Sequence, residues 1–198
     1  MTEAPPKVEE KPEWWASPAT LGLMGFGTTT VLAGLNDGGW ILWGALLSMA
    51  IFFGGAAQVI AGVIALRKGN MFAGTAFTGY GMFWLAFNNE VVNYVFAKGS
   101  TGAYDIAAFT FVWFLFTLAF LINAPKHGWG ITAVFALLTL AFVLLTFQWW
   151  QAGATATGFT KGQLQGVGVE IILTGFMAIY VAYADLTNWN YGRKILPA

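Results

Sequence analysis

Six apolar runs separated by short polar breaks organise the chain, at residues 20–36, 40–66, 71–97, 106–124, 130–151 and 164–186. Within each run apolar side chains follow one another instead of alternating, a pattern of helices in lipid and not of strands in a barrel. The breaks are Asn36-Asp37-Gly38-Gly39, Arg67-Lys68-Gly69-Asn70, and residues 98–105, 123–128 and 153–162. Each contains turn formers or charge. A helix needs about twenty residues to cross the hydrocarbon. The first run is slightly short, which Trp14 and Trp15 offset by anchoring it at the interface, and the second and third are long enough to tilt. The expected fold is an all-α, polytopic membrane protein with six transmembrane helices.

The first run opens on Ser17-Pro18-Ala19-Thr20-Leu21-Gly22-Leu23. Proline is free to start a helix because its missing N–H would have no partner there, and Ser17 before it is a natural N-cap. Gly22, Gly25 and Phe26 fall on neighbouring turns, so a ring sits where small residues admit another backbone. That arrangement suits a narrow apolar gate.

Composition sharpens the class. The chain is 58% hydrophobic and 9% charged, whereas a soluble domain carries about a quarter charged residues. Its formal net charge of +0 gives no argument for nucleic acid. With no cysteine, disulfides, thiolate metal sites and cysteine nucleophiles are all excluded. Residues 1–16 lack the apolar core and cleavage site of a secretory signal. With three prolines and alternating Lys and Glu, they read as a disordered cytoplasmic tail. A transport domain over 17–188 and a short cytoplasmic tail over 189–198 complete the division. With both termini inside, the inner side holds Lys7, Lys11, Arg67, Lys68, Lys126, Arg193 and Lys194, against Lys98 and Lys161 outside. This is a clear positive-inside bias.

Gly54-Gly55-Ala56-Ala57, Ala61-Gly62, Gly74, Gly79, Gly81, Gly166, Gly168 and Gly175 provide small faces for close helix packing, within one subunit or between copies. No histidine lies in a span, so axial haem ligation is missing, and no mid-span lysine offers a Schiff base. Without a nucleophile, base or metal set in the membrane, neither an enzyme nor a cofactor is expected. Mild polarity remains at Thr28, Thr29, Thr30, Gln58, Thr78, Tyr80, Asn88 and Thr117, which can satisfy a partly dehydrated solute without trapping it. A threonine can instead bond its own helix backbone. Gln58 and Tyr80 each bury a group that must find a partner. Glu90 and Glu170 are either interfacial vestibule groups or carboxyls that couple protons to solute movement. Asp185 is expected to pair with a basic loop residue.

These motifs resemble the acetate uptake transporter family, which includes bacterial succinate–acetate permeases and fungal acetate carriers. The family signature Asn-Pro-Ala-Pro-Leu-Gly-Leu stands here as Ser17 to Leu23, with Ser17 and Thr20 departing from it. Met24-Gly25-Phe26-Gly27, Gly54-Gly55-Ala56-Ala57-Gln58, Lys68-Gly69-Asn70, Thr75 to Gly81, Phe83-Trp84 and Tyr191-Gly192-Arg193 extend the match over everything after the tail. The resemblance implies a plasma-membrane protomer of six helices in a ring of six. Each protomer carries its own solute path, pinched by a phenylalanine, a tyrosine and a leucine that correspond to Phe26, Tyr80 and Leu138. In such a waist the Tyr80 hydroxyl would bond the solute's oxygens, with Gln58 as a further donor. Acetate and related short carboxylates, succinate among them, are the implied solutes, as a channel or coupled to protons. An ammonia or neutral-solute path, or a non-transporting membrane sensor, is the alternative.

Overall fold

The structure is a computed structural model that describes residues 16–96, 102–155 and 159–198. The expected N-terminal tail, apart from Ala16, lies outside the described residues, as does Lys98. Secondary structure among the described residues is helical throughout. We label the helices α1 (Ala19–Asp37), α2 (Trp43–Arg67), α3 (Met71–Val91, continued by a π-helical turn Val92–Phe96), α4 (Ala103–Asn123), α5 (Trp129–Ala154) and α6 (Lys161–Tyr191). Each of the six apolar runs thus falls on one helix. By length and composition, the segments Trp43–Arg67, Ala103–His127, Trp129–Ala154 and Lys161–Tyr191 can cross a membrane. The other two, α1 and α3, carry the glycines, threonines and asparagines that lower their hydropathy.

Helix ends follow local chemistry. Pro18 occupies the cap position of α1, one residue later than Ser17, yet the Ser17 hydroxyl accepts the Ala19 N–H at 3.3 Å. Asn70 caps α3 by accepting the Ala73 N–H at 2.9 Å. A capping box of Thr160 and Gln163 starts α6 three residues before the predicted run. The helix then continues five residues past the predicted end and stops at Gly192, whose φ of 62° is left-handed. A π-helical turn at Phe52–Ala57, absent from the run pattern, interrupts α2.

Two pairs of glycines hold α1 against α6. A Cβ on Gly27 would lie 2.7 Å from the Gly175 carbonyl oxygen, and one on Gly34 would lie 2.5 Å from that of Gly168. The same clashes arise from the α6 side, so the two antiparallel backbones touch where no other residue fits.

The last residues are not a free tail. The Asn188 carboxamide accepts the N–H groups of Ile195 (2.6 Å) and Leu196 (2.9 Å) and donates to the Leu196 carbonyl (2.8 Å). Tyr180 donates to the Pro197 carbonyl at 2.6 Å. These bonds fold a strap back over the end of the bundle where α1 begins.

Candidate functional site

Three helices, α1, α3 and α5, line two chambers in succession. The proximal chamber, at the end where α1 begins, has a volume of about 200 Å³ and is lined by Ala19, Leu23, Phe26, Gln58, Asn70, Phe72, Tyr80, His127, Phe135, Leu138, Asp185 and Ala198, among others. The distal chamber, about 70 Å³, is lined by Phe26, Thr30, Asn36, Asp37, Trp43, Phe83, Trp84, Leu138, Trp149 and Ile171, among others. Phe26 and Leu138 belong to both. They form a waist, and the Tyr80 ring stands 5.6 Å from that of Phe26 on its proximal side. All three side chains are buried. The trio drawn from three separate runs is therefore brought together.

Tyr80 is wedged among rings, with Trp113, Phe116 and Phe135 centred 5.9, 5.4 and 6.2 Å away. Its hydroxyl lies 2.8 Å from the Thr117 oxygen. Thr117 spends its own hydrogen on the Trp113 carbonyl at 2.7 Å, so Tyr80 must be the donor of the pair. The hydroxyl expected to serve a passing solute is thus committed to α4, and the ring is what Tyr80 presents at the waist.

Gln58 meets the expectation of a polar path residue. It is 1% exposed, lines the proximal chamber, and its Oε1 has no hydrogen-bond partner. The π turn just before it ends at Ala57, and the extra residue in that turn sets the direction from which Gln58 enters the chamber. An unbonded carboxamide oxygen in an apolar wall costs roughly 1–3 kcal/mol unless something entering the chamber bonds it.

Of the other polar candidates, Thr30 lines the distal chamber with its hydroxyl donated to the Phe26 carbonyl at 2.7 Å, and the rest line neither chamber. Thr28 donates to the Met24 carbonyl at 2.8 Å, the self-bonding that competes for any helical threonine. Thr29 is fully buried against Gly54, and Thr78 abuts Gly62, each a contact between helices. Asn88 donates to the Leu47 carbonyl at 3.1 Å and ties α3 to α2. Glu90 is half-buried near the end of α3. Glu170 is buried on α6, accepts from the Thr174 hydroxyl at 3.1 Å and leaves Oε2 unbonded. Within the signature, Ala19 and Leu23 line the proximal chamber, Gly22 leaves room for the Phe77 ring, and Leu21 faces outward. Ser17, Pro18 and Thr20 line further pockets at the same end.

Several site residues escape sequence reasoning. His127, assigned to a loop, stacks on Phe72 at 3.8 Å and helps frame the proximal mouth, with Ala198 of the strap beside it. Asp185 forms no ion pair among the described residues and faces the same chamber, contrary to the expected loop partner. At the other end, Asp37, the last residue of α1 and one beyond the predicted run 20–36, accepts from the Gln148 carboxamide at 2.8 Å. Its Oδ2 is buried and unbonded. The two residues are 111 positions apart, so no local pattern signals the pair. Among the described residues, no group of three His, Cys, Asp or Glu side chains is placed to hold a metal.

The chain is 37% identical over 187 residues to the succinate-acetate/proton symporter SatP of Escherichia coli K12, covering 92% of this chain and 94% of that protein. It is 31% identical over 186 residues to ammonia transport outward protein 2 of Saccharomyces cerevisiae, covering 88% of this chain and 62% of that one. Its fold matches a solved structure of the bacterial acetate channel SatP with a TM-score of 0.83 and 34% identity, over 92% of this chain and 98% of that one. Helices of membrane-spanning length and these transporter relatives make it a multi-pass membrane protein. The profile of the GPR1/FUN34/yaaH family matches residues 2–193, and the chain belongs to that family.

Proposed function

We propose that the protein passes acetate and related short carboxylates, succinate among them, across the plasma membrane through the waist at Phe26, Tyr80 and Leu138. The observation that carries this reading is the sharing of Phe26 and Leu138 by two chambers that together run from one end of α1 to the other. A small carboxylate has a methyl or methylene end that suits the apolar waist and a charged end that can accept from the Gln58 side-chain N–H just before it. The path has no arginine clamp, which favours weak binding and rapid passage. Relatives named as an acetate channel and as a succinate-acetate symporter support the solute class. They also support a transport protein in place of an enzyme.

In this reading all six helices span the bilayer. α1, 19 residues long, covers about 28 Å at 1.5 Å per residue. The proximal end is cytoplasmic, because Arg67, Lys68, Lys126, Arg193 and Lys194 cluster with Asn70, His127 and Ala198 there, while Lys161 begins α6 at the other end. Both termini are then cytoplasmic. Outward-facing Phe52, Ile60, Val112, Phe147 and Phe176 meet lipid or neighbouring subunits of a six-membered ring.

The test is uptake of labelled acetate by proteoliposomes, with unlabelled acetate, succinate and ammonium as competitors. Competition by carboxylates alone supports the proposal. Absent acetate flux with an internal pH shift on adding ammonium faster than in protein-free vesicles would favour the ammonia path that the yeast relative's name suggests. Absence of both would leave a sensor.

A further inference from the structure

The distal chamber contains a titratable group that the waist and the Gln58 contact do not use. Asp37 sits at the last turn of α1, lines this chamber, and binds Gln148 through one oxygen while the other is buried and unbonded. The remaining lining is almost wholly apolar or aromatic: Trp43 and Leu46 from α2, Phe83, Trp84 and Phe87 from α3, Phe142 and Trp149 from α5, and Ile171 from α6. Among the described residues, no lysine, arginine or histidine lines this chamber. The other charged groups on the packed helices point elsewhere. Glu170 is bonded to Thr174, Glu90 lines neither chamber, and Lys161 is exposed in the first turn of α6.

We infer that Asp37 is the proton-dependent selectivity residue of the distal chamber, admitting a carboxylate when it bears a proton and rejecting it when ionised. The inference rests on the carboxylate-transport reading. An ionised Asp37 places a second negative charge in a chamber of about 70 Å³ with apolar walls, where like charges are poorly screened. A protonated Asp37 keeps one oxygen on Gln148 and carries its O–H on the other, unbonded oxygen, free to donate to a solute oxygen in the chamber that Asp37 lines. The proton stays on Asp37 throughout this gating step, and no bond other than hydrogen bonds forms or breaks. Admission should follow the protonated fraction of this one carboxyl, the single carboxyl that lines the chamber.

The experiment is acetate exchange in proteoliposomes at equal pH on both faces, with the acetate anion concentration held constant from pH 5 to 7.5. This design removes the proton gradient and any change in anion supply, and the rate in protein-free vesicles, which carries the pH-dependent leak of neutral acetic acid, is subtracted at each pH. The wild-type rate is expected to fall on the order of tenfold or more across that range. In Asp37→Asn, which keeps an acceptor for Gln148 but cannot ionise, the ratio of acid to neutral rates collapses toward one. Gln148→Leu removes a hydrogen bond that favours the ionised form, so the midpoint moves to higher pH. A wild-type-like ratio in Asp37→Asn overturns the assignment, as does an unmoved midpoint in Gln148→Leu should the first variant not fold. If wild-type vesicles exchange no more acetate than protein-free ones, the transport reading falls and this inference with it.

Discussion

The two chambers are walled by the same helices and differ in what those helices present. The proximal one is the larger and holds several polar groups, including the unbonded Gln58 carboxamide, Asn70, Asp185 and the His127 ring at its mouth. The distal one is about a third of its volume and lined by tryptophan and phenylalanine rings around a single carboxyl. α1 explains part of the contrast. Its first half is pressed against the glycines and rings of α2 and α3, while its last turn ends in the polar Asn36–Gly39 break. One path can thus divide its work: hydrogen bonding to the solute on one side of a size filter, and sorting by charge on the other.

The most damaging way to break this comparison is to remove the support both chambers share. Gly34→Leu forces a side chain into the α6 backbone at Gly168, and overpacking of this kind costs about 3 kcal/mol or more. The expected outcome is loss of folded protein, read as a collapse of the monodisperse peak after detergent extraction. A smaller change merges the chambers. Phe26→Ala combined with Leu138→Ala opens the waist, and succinate flux relative to acetate should rise on the order of tenfold, about 1.4 kcal/mol of barrier. An unchanged flux ratio would mean that selection by size happens elsewhere.

Gln58→Leu sharpens the contrast by altering one chamber alone. Half-saturation for acetate should rise about fivefold, as expected for a lost hydrogen bond of about 1 kcal/mol, while the acid-to-neutral rate ratio governed by Asp37 keeps its value. A change in that ratio would show that the two chambers do not act separately. The mildest expected effect comes from the strap. Asn188→Ala removes three hydrogen bonds to residues 195 and 196, and hydrogen exchange at those amides should accelerate by about tenfold while acetate flux changes by about twofold or less. Protection equal to that of the wild type would mean that Tyr180 alone holds the strap.

What could be read from the residues was whatever is local in the chain. A continuous apolar run specifies a helix in lipid because the transfer of side chains and the closure of backbone hydrogen bonds both act within a few turns, and all six runs fall on helices. Pro18, Asn70 and Gly192 mark helix ends by the same local chemistry. Phe26 stands in a small-residue stretch that suits a gate, whereas Tyr80 and Leu138 as its partners rest on the family resemblance and on no local pattern. All three meet in the fold. Packing alone decided the rest. The helix of Thr28 could bond it internally, Thr29 and Thr78 went to helix contacts, and the Tyr80 hydroxyl went to Thr117. Asp37 found Gln148 across 111 positions, and His127, in the connection between α4 and α5, stacks on Phe72. Such pairings depend on the crossing angles and rotations of whole helices, which sum many weak contacts along their length, and no short stretch of residues encodes that sum.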